Sequence, residues 1–192
     1  MNWKLNRFLL FLLISFCFLF SCSSKTDKIN EENLKINFSH YTNSVRAQKN
    51  LAILRVDLEL SIIAQKHSDE LARGLPMGHF GFNKRLDEAS QILDISKMSE
   101  NEAQSSLIFD NPAHTAMYGG EKVVVDTTFE GNVCNTNQIN HLSRGLINSP
   151  GHYKNIIDPE VNVIGVGVSK TKKGNEIYFV QIFANEQKEG VQ

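Results

Sequence analysis

The side chains that could do chemistry fall in short, separate stretches. Residues 146–157 read Leu-Ile-Asn-Ser-Pro-Gly-His-Tyr-Lys-Asn-Ile-Ile. Pro150 lacks a backbone N–H and fixes its own φ, so a helix arriving through Leu146 must end there. Gly151 lets the chain turn sharply. His152 follows the break, a place from which a side chain faces a cavity rather than a packed core. Gly78-His79-Phe80-Gly81-Phe82 reads as a tight loop that aims His79 inward. Ser99-Glu100-Asn101 sets a carboxylate among small polar residues, at a strand end or in a loop. Imidazole and carboxylate are the groups that move protons near neutral pH and hold divalent ions. The plain alternatives are a surface histidine on a turn and a solvated acidic pair, Glu100 and Glu102. HExxH, which puts two ligands one helical turn apart, is absent. Ser68 or Ser149 could partner a histidine, but nothing marks either as an activated nucleophile. His67, on an apolar helix face, reads as a core histidine with one satisfied hydrogen bond.

The elements that must position these groups are legible from spacing. Leu34, Phe38, Tyr41 and Val45 recur at threes and fours and predict a helix over 34–50. Asn43 and Arg46 on it read either as ties to a neighbouring loop or, equally well from spacing, as exposed polar residues. Asp57 can cap a second helix carrying Leu60, Ile63, Ala64, His67 and Leu71, which Gly74 and Pro76 stop. A third is predicted over 83–93, with Phe82, Leu86, Ala89 and Leu93 as its stripe. Residues 104–136 read as a long connection with turns at Asn111-Pro112, Gly119-Gly120 and Gly131-Asn132 and a short strand over 122–125. A fourth helix is predicted over 138–148. Residues 163–169 and 177–184 predict a β-hairpin; lacking charges, both strands should be central and covered by helices. The order of elements implies an α+β fold, an antiparallel sheet between helices.

The ends suggest an address. Lys4 and Arg7 precede an apolar run over 8–20, too short for a comfortable membrane span of ~20 residues and typical of a secretory signal. Leu19-Phe20-Ser21-Cys22 resembles the bacterial lipobox, in which Cys22 would become the lipidated first residue; the plain alternatives are an ordinary signal peptide and an uncleaved anchor. The division expected is 1–21 signal peptide, 22–33 flexible tether, 34–186 folded domain and 187–192 tail. This predicts a lipoprotein of a bacterial cell envelope, held by lipid on Cys22 at the outer membrane or cell surface. Segment 1–21 holds Lys4, Arg7 and no acid, so 18 basic residues face 21 acidic ones in the remainder, a net charge of −3. No basic stripe is present, which argues against a nucleic-acid partner. Beyond Cys22 only Cys134 remains, so no internal disulfide is expected and Cys134 reads as a small semi-buried residue.

Taken in order, these stretches resemble the CAP superfamily (cysteine-rich secretory proteins, antigen 5 and plant pathogenesis-related proteins), in its bacterial branch. The resemblance rests on Tyr41–Arg46, Ala64–Ser68 with Gly78–Phe82, Ser99–Asn101, Asn148–Ile156, and Ile164–Val168 with Tyr178–Ala184. It implies a three-layer α-β-α sandwich with a cleft where His79, Glu100 and His152 meet. Such a group could hold Zn²⁺ or another divalent cation, exchangeable and partly water-bound. The chain departs from many animal and plant members in two ways. Asn140-His141-Leu142-Ser143-Arg144 lacks a second glutamate, and Leu146 stands where tryptophan often precedes Asn-Ser-Pro-Gly-His. The function implied is a binding or interaction module for a host or envelope component, or a lipid such as a sterol. The alternative is a metal-dependent, protease-like hydrolase with Glu100 as general base.

Overall fold

The first helix, α1 (Glu31–Gln48), begins at Asn30, whose side chain accepts from the Glu32 and Asn33 N–H groups. It therefore starts ahead of Leu34, because the cap and two acids at its N-terminus favour helix before the apolar stripe begins. This computed structural model describes residues 30–106, 116–118, 121–123, 142–173 and 175–187. The segment expected to be a signal peptide, Cys22, Cys134 and most of the 104–136 connection lie outside the described residues.

After α1 come β1 (Arg55–Val56), α2 (Leu58–Ala72), α3 (Phe82–Ser90) and β2 (Ile95–Ser106). A small hairpin follows, β3 (Ala116–Tyr118) with β4 (Glu121–Val123). A helix whose described part is 142–148 (α4) runs up to Ser149, and α5 (Pro150–Ile156) starts afresh with Pro150 in its first turn. The missing N–H of Pro150 ends one helix and costs the next nothing. β5 (Val163–Lys170) and β6 (Glu176–Glu186) complete the chain. Asp57 caps α2 as expected, its carboxylate accepting from the Leu60 N–H at 3.0 Å.

The main sheet has the order β1-β5-β6-β2. β5, β6 and β2 are antiparallel, with β5 and β6 central, but β1 pairs with β5 in parallel, Arg55 opposite Val163. The sheet is thus mixed rather than wholly antiparallel. No hairpin joins β1 to β5; helices intervene, and such a crossover can return the chain in the same direction. One face of the sheet packs Phe179, Phe183, Ile164, Val166 and Val168 against α1, α4 and Ile156 of α5. The other packs Val163, Val180, Ile182 and Ala184 against α2, with Ala89 of α3. This is the α-β-α sandwich.

α2 lies very close to β5. A Cβ on Gly165 would fall 2.3 Å from the Leu60 carbonyl carbon, and one on Gly167 2.3 Å from that of Ala64. Both obstacles are backbone, so neither can swing aside. Gly167→Ala is therefore expected to destabilise by about 3 kcal/mol or more, the upper end of overpacking costs. A denaturant midpoint within error of the parent would contradict this close approach.

Candidate functional site

β2 is an edge strand, and its alternation decides the site. Glu100 and Glu102 share the face covered by α2 and α3, while Asn101 points to the other. Both carboxylates are buried, with 1% and 2% side-chain exposure. A buried carboxylate must be supplied with donors, and each is. Arg85 of α3 grips Glu100 in a fork, Nε to Oε2 at 2.7 Å and Nη2 to Oε1 at 2.5 Å. The His79 Nδ1–H donates to the same Oε1 at 3.0 Å. Glu102 accepts from the His67 ring Nε2–H at 2.8 Å and from the backbone N–H groups of Gly78 and His79 at 3.0 and 2.9 Å. Glu102 thus anchors the loop that carries His79. That anchoring holds His79 at φ 62°, a left-handed conformation costly for a residue with a Cβ.

On the other side of β2, α5 closes over the strand edge. Asn155 donates to the Glu100 carbonyl at 3.1 Å and to the Asn101 side-chain oxygen at 2.9 Å. Asn101 donates to the His152 carbonyl at 3.1 Å. The His152 ring Nδ1 is buried and has no hydrogen-bond partner.

The histidines differ electrically. Burial pulls His67 down, but its bond to Glu102 and the charge of Glu100 outweigh this and leave its pKa raised. Burial, reinforced by the positive charge of His79 and opposed by Glu102, lowers His152. His152 is therefore favoured as a neutral imidazole, the form that binds metals and accepts protons.

The sequence of this arrangement matches known proteins. A model of the cysteine-rich secretory protein family, CAP, matches residues 40–183. The chain belongs to the CAP family. Similar solved structures include an extracellular SCP-domain protein of Bacillus anthracis, 18% identical, TM-score 0.56, covering 81% of this chain and 41% of that one. A cysteine-rich secretory protein of Staphylococcus aureus is 17% identical, TM-score 0.54, covering 82% and 40%. An outer surface protein of Borrelia burgdorferi is 22% identical, TM-score 0.56, covering 83% and 98%. The chain thus spans about two fifths of the first two and nearly all of the third. At these identities the likeness is one of fold. No curated protein matches the chain.

Within this CAP domain, the expected trio is only partly joined by direct contact. His79 and Glu100 are hydrogen-bonded. His152 sits close enough to feel the charges of His79 and Glu102. His67, Arg85 and Glu102 complete the cluster and were not expected there. His67 is buried as a core histidine would be, yet both ring nitrogens are engaged: Nδ1 faces Arg85 Nη1 at 3.2 Å and Glu70 at 3.3 Å. Glu100 and Glu102 are not a solvated pair. Their spacing of two, once placed on a strand, was the available signal that they share a face.

Ligand atoms of His67, Glu100 and Glu102 lie within 4.8 Å of one another, a spacing that could suit a metal ion. The surroundings oppose it. Arg85 sits against all three, within 4.0 Å of Glu102 as well. A dication there would have to displace a buried guanidinium.

Acid should dismantle the cluster in a defined window. Burial pushes the Glu102 carboxyl up, but His67, the Gly78 N–H and the charge of His79 hold it down to about 2, against an ordinary 4.5. A depressed acid adds stability that is fully present above its unfolded pKa and lost as pH falls through its folded one. Roughly 3 kcal/mol should disappear between about pH 4.5 and pH 2. Glu102→Gln should flatten that part of the profile in denaturant titrations; an unchanged slope would refute the assignment. His67 acts with the opposite sign: its raised pKa lends stability below its ordinary 6.5 that is lost as pH rises through the folded value.

Proposed function

We propose that this CAP domain is a lipid-anchored binding module of a bacterial envelope. Lipid on Cys22 would hold it at the outer membrane or cell surface. Among the described residues no helix is long and apolar enough to cross a membrane. The cleft bordered by the 78–81 loop and α5 would recognise a host or envelope component, or a lipid such as a sterol. The observation that carries this reading is the occupancy of both carboxylates. Glu100 and Glu102 are held by Arg85, two histidines and two backbone N–H groups. What the cleft offers a ligand is imidazole.

His79 and His152 are the residues that would hold an exchangeable Zn²⁺. His79 donates through Nδ1 to Glu100, which leaves its Nε2 as a ligand and gives the ring the carboxylate backing typical of zinc histidines. His152 is kept neutral and has an unpartnered ring nitrogen. Glu100 would orient His79 rather than ligate. When bound, the ion would act as a Lewis acid on a ligand carbonyl or water. A hydrolytic use of the cleft would need Glu100 as general base, and Glu100 would first have to leave Arg85.

The test uses the full mature chain on intact target cells and on sterol-bearing vesicles. Saturable binding that the His79→Ala/His152→Ala double variant abolishes is the expected result. Turnover of a peptide or ester library that disappears in Glu100→Ala would overturn the binding reading in favour of the hydrolase. Zn²⁺ binding that survives the double substitution would remove the metal from this cleft.

A further inference from the structure

Large apolar side chains are exposed at one pole of the domain. Ile36 of α1, Val56 of β1, and Leu58 and Ile62 of α2 line a single groove of about 490 Å³ floored by Val166. They are 41–73% exposed, and Ile53 beside β1 is 68% exposed. Apolar side chains grouped in this way mark a surface that meets something.

The groove's floor says what it does not meet. β1 is only two residues long, so the edge of β5 is open beyond Ile164. Three groups of that edge are already engaged: the Ser61 hydroxyl oxygen accepts from the Val166 N–H, Gln65 Oε1 accepts from the Val168 N–H, and Gln65 Nε2 donates to the Val168 carbonyl. An added strand would have to displace these side chains before it could pair. Charges around the groove are internally paired, Glu32 with Lys35, Glu31 with Lys170, and Arg55 with Asp57 and Glu186. Three cations against four carboxylates leave one surplus negative charge, so the surface is mainly apolar and slightly acidic, which suits a zwitterionic rather than an anionic lipid layer.

The position of the chain end points the same way. The first turns of α1 line the groove, so the chain that precedes Asn30 leaves at its mouth. Cys22 is eight residues earlier, a reach of at most about 30 Å. We propose that this face, centred on Ile36, Val56, Leu58 and Ile62, docks on the outer layer of the membrane that carries the anchor. Docking adds apolar burial to the grip of the lipid and fixes which way the His79/His152 cleft faces. This rests on the reading of Cys22 as a lipidation site.

The test keeps the anchor and the docking separate. Full-length protein carrying Cys134→Ser is purified from membranes with an environment-sensitive fluorophore on Leu58→Cys. A second preparation carries it on Phe80→Cys, on another face of the α2 layer. Intact mass reports acylation of Cys22. Each protein is reconstituted in phosphatidylcholine vesicles with and without brominated lipid. The expected result is an acylated chain, loss of most emission at position 58, and no loss at position 80. Acylation with no quenching at 58 would overturn the docking and leave the anchor standing. Emission at 58 that is blue-shifted but unquenched would mean a protein occupant, including a second copy, and would also overturn it. An unacylated mature chain would overturn the anchor reading and the docking with it.

Discussion

Arg85→Met is expected to destabilise the domain by about 3–5 kcal/mol, the usual cost of leaving one partner of a buried ion pair behind. Arg85 is buried and holds Glu100 by two nitrogens, donates to the Phe80 carbonyl at 2.7 Å, and lies against the His67 ring. Without it Glu100 keeps the His79 hydrogen bond and the more distant His67 ring, 4.0 Å away, in place of a guanidinium fork. The 78–81 loop loses its tie to α3 at the same moment, so amide exchange at Gly78 and His79 should quicken before the domain unfolds. Lysine should rescue little, since one ammonium cannot reproduce a planar fork that reaches a carboxylate and a carbonyl together. Arg85→Met with Glu100→Gln should cost less than the sum of the single changes, because the stranded charge is gone. A loss under about 1 kcal/mol for Arg85→Met would mean the pair is solvated and the cluster is not the closed network described.

That network holds two histidine-bearing elements on either side of one sheet edge. The loop bearing His79 is fixed from the α2 side by Glu102, and α5 bearing His152 is fixed from the other side by Asn101 and Asn155. β2 supplies every one of those anchors except Asn155. Three consecutive residues, Glu100, Asn101 and Glu102, therefore tie both histidine-bearing segments to one strand, with Asn155 fastening α5 from its own side. A site built this way is rigid in its acids; the His79 side chain is 44% exposed, while His152 keeps its ring Nδ1 buried.

Much of this was legible because it is periodic or punctuated. The stripe of Leu34, Phe38, Tyr41 and Val45, the Asp57 cap, and the uncharged runs of β5 and β6 each obey one local rule, and each stands where it was expected. β2 was missed as a full strand because Ser99 to Ser106 is polar on both faces, so alternation carries no hydrophobic signal. The stripe assigned to α3 missed its most consequential member: Arg85 and Ala89 are the buried positions. A charged residue reads as solvent-facing unless its partner is known, and Glu100 lies on a different element. The short parallel β1 was invisible for a related reason, since two residues have no period.

Arg46 gives the second large effect. It is fully buried, yet it touches no carboxylate within hydrogen-bonding reach; its guanidinium donates to four backbone carbonyls. Nε reaches Ala52 at 2.8 Å, Nη1 reaches Ile156 at 2.9 Å and Asp158 at 2.7 Å, and Nη2 reaches Val161 at 3.3 Å. The last three belong to the end of α5 and the turn into β5. Arg46 is thus a tie from α1, one of the two readings its place on the helix allowed, and it positions the segment carrying His152. Arg46→Met would strand those carbonyls in the core. With bonds from a charged donor worth about 1.5–3 kcal/mol each and not additive, a loss of roughly 4 kcal/mol is expected. For a domain of this size that is a fall in Tm of about 10 °C. The functional reading is separable from the stability loss: well below the variant's Tm, ligand or Zn²⁺ affinity should still fall, because α5 is no longer held at its C-terminal end. Arg46→Lys should recover part of the stability and less of the affinity, since one ammonium cannot span Ala52 and Val161 together. Affinity equal to the parent in a folded Arg46→Met variant would detach α5 from the cleft, and with it the role given to His152.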